Sequence, residues 1–266
     1  MTIPDGWLAD CASDLKASIA FLTRLPVAPT PPTAGADISR AAWAFPLAGV
    51  LVALIAAVVY AVAHKIGSPP WVAAALAVAA TLAVTGCLHE DGLADTADGF
   101  GGGDTRERKL EIMRDSRIGA FGAVALALSI LIRAAALAAA LNGGFWNAAG
   151  SLILVAALSR AGALMPLAAL DPARVDGAGA AAGRLDPAAF AASCVAALVI
   201  VLIAGILATG FWRGLAAAAA SAIGAAAMTA LARRQIGGQT GDVAGAAQQW
   251  AEIAAWCGLL IGRSAA

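Results

Sequence analysis

Asp91, Asp95 and Asp98 fall four and three residues apart within HEDGLADTADG. On an α-helix that spacing puts all three carboxylates on one face. Like charges so placed repel one another unless a cation sits between them. Carboxylate oxygens are hard ligands, and Mg²⁺ commonly takes one or two of them and completes its shell with water and substrate phosphate. The three aspartates are therefore candidate metal ligands. Glu90 points elsewhere on such a helix, whereas Asp115, further along, can return to the same place as a base or ligand. His89 adjoins the run as a candidate base or ligand, or as a hydrogen-bond partner only. The plainer alternative is a solvated acidic loop, but three Asp interleaved with Gly92 and Gly99 form no ordinary cap or charge-balanced face.

Groups suited to phosphate follow at once. The stretch GFGGGD sets Gly101, Gly102 and Gly103 where backbone N–H groups can approach a phosphate. It is no Walker loop, lacking GK[ST] and following an apolar helix rather than a strand, and turn flexibility explains the glycines equally well. RERKLEIMRDSRIGAFG then reads as an amphipathic helix. Arg114 and Arg117 flank Asp115, and a guanidinium offers phosphate a bidentate fork. Arg106, Arg108 and Lys109 serve either phosphate or topology. Further on, GGQTGD contributes Thr240 as a substrate contact and Asp242 as a base or extra ligand, unless it is a plain glycine turn. Arg160, in LSRAGALMPL, lies within an apolar run. An intramembrane charge of that kind is a functional candidate, here for substrate, or half of a structural ion pair. Arg133 carries the same ambiguity, and Glu252 is placed to pair with either. Acid for a metal and arginine for phosphate, gathered at one place, point to phosphoryl-type transfer.

The elements that must hold these groups are membrane helices. The chain is 61% hydrophobic and 13% charged, with a mean hydropathy of +0.82, outside the range of soluble domains. Apolar runs near 42–63, 70–88, 119–141, 148–170, 188–212, 214–232 and 243–262 each approach the ~20 residues that cross a bilayer. The expected fold is all-α: a polytopic helical bundle of about seven transmembrane helices, embedded in the lipid bilayer as one domain over 1–266. Residues 1–41 form its N-terminal segment, with an amphipathic helix in DLKASIAFLTRLP and a Pro-rich linker in PVAPTPPTAG. Residues 89–118 form its catalytic loop. No signal peptide is expected, because the N-terminus has Asp5, Asp10 and Asp14 in place of a basic head and apolar core. The four cysteines are scattered and form neither a disulfide framework nor a metal motif.

Seven crossings sort twelve Lys and Arg residues to the side of the N-terminus and three to the other, with Arg133 and Arg160 inside spans. The positive-inside rule then makes the N-terminus and every motif-bearing loop cytoplasmic, in a cytoplasmic (inner) membrane. Trp43, Trp71, Trp146 and Trp212 fall near span ends, as interfacial indoles do. The net charge of zero gives no basis for a nucleic-acid partner, and a homo-oligomer is compatible with a chain of this kind.

FLTRLPV at 21–27, the block from His89 to Gly122, LSRAGALMPLA at 158–168 and GGQTGD at 237–242 together resemble the cobalamin synthase family of adenosylcobinamide-GDP ribazoletransferases. Glu90 is a small departure, since an apolar residue is expected there. The resemblance implies a Mg²⁺-dependent membrane enzyme that joins adenosylcobinamide-GDP to α-ribazole or its 5′-phosphate, releasing GMP. On that reading Asp91, Asp95 and Asp98 hold Mg²⁺ on the pyrophosphate, Arg117 and Arg114 steady the developing charge, and Asp115 or Asp242 accepts the hydroxyl proton. Two other readings stand beside it. A CDP-alcohol type phosphotransferase also uses clustered Asp with Gly and Arg, but Asp115 has no acidic partner four residues later. A transporter would use Arg133, Arg160 and Glu252, but would place its binding groups near the midplane rather than in a surface loop.

Overall fold

The computed structural model describes residues 7–27 and 35–262. Most of the Pro-rich linker, and Asp5, lie outside the described residues. Among them are twelve α-helices and no strand: α1 Trp7–Leu22, α2 Gly35–Ala41, α3 Phe45–Lys65, α4 Pro70–Thr85, α5 Leu88–Gly102, α6 Arg106–Ile112, α7 Ala120–Ala140, α8 Phe145–Ala169, α9 Gly177–Ala182, α10 Pro187–Ala204, α11 Phe211–Ile236 and α12 Gly241–Leu260. The 89–118 segment, expected as a loop, is mostly helix. Asp91, Asp95 and Asp98 lie on α5, and Arg106, Arg108 and Lys109 lie on α6.

Helix boundaries follow local chemistry. Pro70 and Pro187 open α4 and α10, where the missing N–H is no loss. Asp186 caps α10 by accepting the Ala188 N–H at 2.9 Å. Gly86 ends α4 and Gly237 ends α11, each left-handed, at φ 62° and 69°.

Five helical segments are long and apolar enough to cross a membrane: Ile38–Lys65, Ala120–Ala140, Phe145–Ala169, Pro187–Thr209 and Phe211–Ile236. A sixth exists if α4 and α5 count as one span bent by 90°. The bend sits at Gly86 and Cys87, two successive left-handed residues, Cys87 at φ 59°. The protein is thus a polytopic helical membrane protein, and all seven apolar runs are helical. The last run, α12, falls short in apolarity because it carries Gln248, Gln249 and Glu252. It packs chiefly against α11, α8 and α5, which shield those side chains from lipid.

Chain direction alternates along α7, α8, α10, α11 and α12, so the polar connections 103–119, 170–186 and 237–240 meet at one end. Hydrogen bonds join them. Arg106 Nε donates to the Ile236 carbonyl at 2.8 Å, and the Ala173 N–H donates to the Gln239 carbonyl at 2.8 Å. At the opposite end, Trp71, Trp146 and Trp212 stand in first helical turns, 68–78% exposed, as interfacial indoles do. The amphipathic helix α1 begins earlier than expected and is fastened to the bundle. Asp14 accepts Trp43 Nε1–H at 3.0 Å and pairs with Arg40 at 2.9 Å.

Candidate active site

The site is built where α5 crosses α12. A Cβ on Gly92 would stand 2.7 Å from the Asp242 carbonyl oxygen, and one on Gly245 3.2 Å from that of His89. The approach at Gly92 leaves no room for a side chain, and that at Gly245 is tight for one. The crossing brings Asp91 and Asp95 of α5 beside Asp242 in the first turn of α12. Asp95 lies in the negative field of Asp91, Asp242 and Asp98, opposed by Arg174. Such crowding is relieved by a cation, although among the described residues no three His, Cys, Asp or Glu side chains are set to hold one between them.

Asp242 is oriented from two sides. Thr240 donates its hydroxyl to Oδ2 at 3.2 Å, and Arg174 reaches the same oxygen at 3.1 Å. Thr240 also caps α12, accepting the Val243 N–H at 3.2 Å. Arg174 keeps a buried Nη1 with no hydrogen-bond partner. A buried donor of that kind is costly unless something accepts from it. Arg174 was not among the sequence-based candidates. Its loop meets the GGQTGD turn through the Pro172–Gln239 bridge, a contact that its own neighbourhood in DPARVDG does not announce.

His89, Asp91 and Asp242 line an apolar cavity with Gly92, Gly241 and Gly245. Other expected residues are elsewhere. Asp98 serves as a cap from outside its own helix: Oδ2 accepts the Gly119 N–H at 2.7 Å and Oδ1 the Gly122 N–H at 2.8 Å. These are orphan donors at the start of α7, and a carboxylate suits that helix end. Both Asp98 oxygens are therefore engaged, which sets it apart from Asp91 and Asp95 as a ligand. Gly101, Gly102 and Gly103 end α5, where carbonyls rather than amides are free. The Gly103 N–H is bonded to the Gly99 carbonyl at 3.1 Å, so the three glycines form no phosphate cradle.

Asp115 and Arg117 engage each other on a surface turn, at 2.6 Å, with the Arg117 side chain 87% exposed. Hydrogen bonds from Arg117 hold the Asp115 carboxyl down to about 2, an ill-suited value for a base at neutral pH. Arg114 pairs with Asp176 at 2.6 Å. None of the three lines the cavity.

Arg160 is buried and engaged inside the bundle, at 3.1 Å from Ser159 Oγ and 3.5 Å from Glu252 Oε2. Glu252 also accepts from Arg133 at 2.7 Å, and Arg133 donates to Glu90 at 2.7 Å. Glu252 thus joins both intramembrane arginines, and Glu90 completes the set. These charges close on one another, unlike the groups of a transport path.

Fold and site together define a polytopic helical membrane protein with an acidic, cavity-lined cleft where its polar loops meet. A profile of the cobalamin-5-phosphate synthase family matches residues 14–260. A protein of Azorhizobium caulinodans is 48% identical over 252 residues, covering 94% of this chain and 96% of that one. One of Bradyrhizobium diazoefficiens is 47% identical over 245 residues, covering 91% and 90%, and one of Mesorhizobium japonicum 48% over 255 residues, covering 91% and 90%. All three are named adenosylcobinamide-GDP ribazoletransferase. No solved structure matches. The chain belongs to the cobalamin-5-phosphate synthase family and is a membrane transferase of cobalamin biosynthesis.

Proposed function

We propose that this protein joins adenosylcobinamide-GDP to α-ribazole, or to its 5′-phosphate, with release of GMP. The observation that carries the reading is the meeting of Asp91, Asp95, Asp242 and Arg174 in one cluster, of which Asp91 and Asp242 line the cavity. In this reaction the acceptor hydroxyl oxygen bonds to the corrinoid-side phosphorus. The bond from that phosphorus to the bridging oxygen breaks, GMP leaves, and the hydroxyl proton passes to a carboxylate. Asp242, which lines the cavity, is better placed to take the proton than Asp115, which is salt-bridged outside it. Arg174, with its unpartnered Nη1, is suited to a phosphate oxygen as the charge develops.

Asp91 and Asp95 would hold Mg²⁺. Two carboxylates with substrate phosphate and water make an ordinary Mg²⁺ shell, so the residues fit the ion without a preformed three-ligand cage. When bound, the ion would neutralise pyrophosphate charge. The loop-bearing end would face the cytoplasm of an inner membrane, as the distribution of Lys and Arg supports.

GMP release by the detergent-purified protein tests this reading. Release should require adenosylcobinamide-GDP, a ribazole acceptor and Mg²⁺, and should stop on chelation. Asp95→Asn should lower it by on the order of 100-fold or more. Folded protein that releases no GMP with either acceptor would overturn the reading.

A further inference from the structure

Beside the carboxylates lies a cavity of about 160 Å³. Its two halves differ in chemistry. Toward α5 and α12 it presents His89, Asp91 and Asp242; toward α1, α3 and α8 it presents Phe21, Phe45 and Leu164, with Ile38 of α2 beside them. The Phe21 and Phe45 rings stack, with centroids 5.9 Å apart and planes at 27°. Phe45 and Leu164 are only 3% and 1% exposed. An apolar cavity of ~150 Å³ lined by such side chains stays dry and accepts an aromatic ring.

We propose that this cavity seats the aromatic base of the acceptor nucleoside, a flat and largely apolar benzimidazole-type bicycle. Its ribose would reach out to Asp91 and Asp242. The inference rests on the ribazoletransferase reading above. Size and polarity choose among the ligands of that reaction. A corrinoid is far too bulky for this space. Guanine carries several donors and acceptors that walls of Phe, Ile and Leu would leave unpaired, at a cost. A lipid acyl chain has no use for a mouth bearing two carboxylates. A benzimidazole needs apolar walls and stacking surfaces, and it is joined to the reacting hydroxyl by a single sugar.

Ile38 and Leu167 line the cavity from different helices, and both are only half-buried, so either tolerates a larger side chain. In the full-length protein, Ile38→Trp and Leu167→Trp should each raise the acceptor KM by about tenfold or more. The KM for adenosylcobinamide-GDP should stay unchanged. Direct binding of labelled α-ribazole, with no donor present, should weaken in parallel. Ile38→Ala should admit acceptors with bulkier substituents on the base. If the wild type releases GMP but neither Trp variant moves the acceptor KM, the cavity is not the base site and the transferase reading stands. Loss of a co-purified phospholipid from Ile38→Trp at unchanged acceptor KM would make it a lipid site and overturn the proposal. A wild type that releases no GMP would remove both readings together.

Discussion

Two groups of charged residues lie along α5 and α12 and share neighbours, yet they are built to opposite rules. Deep in the bundle, Arg133 and Arg160 meet Glu90 and Glu252, two positive charges against two negative. Gln248 and Gln249 add to them: Gln248 donates to Glu252 at 2.6 Å and Gln249 to Glu90 Oε1 at 3.0 Å, which leaves Glu90 Oε2 as the one oxygen of the two glutamates without a partner. From the next residue of α5 onward, Asp91 and Asp95 stand near Asp242 with Arg174 as the cation among them. The first group is balanced and nearly closed. The second carries excess negative charge and an unpartnered guanidinium nitrogen. Saturated charge holds helices in place; unsaturated charge is what remains free to bind something else.

That contrast can be broken by exchanging the outcomes. The largest separation is expected between Asp95→Asn and Arg133→Met. Asp95→Asn should abolish turnover while leaving thermal unfolding in detergent unchanged or raised, because it removes one of several crowded like charges. Arg133→Met strands Glu90 and half of Glu252 in the interior, a change that typically costs about 3–5 kcal/mol. It should lower the unfolding temperature sharply or prevent folding, and turnover should fall only in proportion to folded protein. Equal instability in both variants would erase the distinction.

Asp98→Ala should have an intermediate effect. It leaves two N–H groups at the start of α7 without acceptors, worth about 1–2 kcal/mol by analogy with helix caps. Hydrogen exchange in the first turn of α7 should quicken. If Asp98→Ala instead abolished Mg²⁺-dependent turnover at full stability, Asp98 would be a ligand after all.

The smallest effect belongs to Asp115. Its carboxyl is held at about 2, below its ordinary 3.8, by hydrogen bonds from Arg117. A depressed carboxyl stabilises the folded state above its unfolded value and loses that contribution as pH falls through the folded one. Any stability gap between wild type and Asp115→Asn should therefore be present above about pH 4 and close between 3.8 and 2. Turnover of Asp115→Asn at neutral pH should stay near that of wild type.

Much of this was legible beforehand. Long apolar runs forecast the helices because the bilayer imposes length and apolarity on any spanning segment. The four-residue spacing of Asp91 and Asp95 placed them on one face because helical periodicity is local. Asp98 shares that face, but its carboxylate meets α7 before it can meet the cleft, a matter of how two helices cross. Arg114, Arg117 and Asp115 have the right chemistry for phosphate, yet their turn lies on the surface and they pair there. Arg174 carries no such signal in its own stretch of sequence, because the Pro172–Gln239 bridge is what brings its loop to Asp242.

The sequence alone therefore settled what short-range physics controls: helices, their apolarity, the spacing of acids, and the kind of chemistry those acids serve. Tertiary structure decided which charges find partners. That choice turns on close approaches such as Gly92 against Asp242, between residues far apart in the chain. Charge type can be read from one residue, but charge balance requires knowing its neighbours in space.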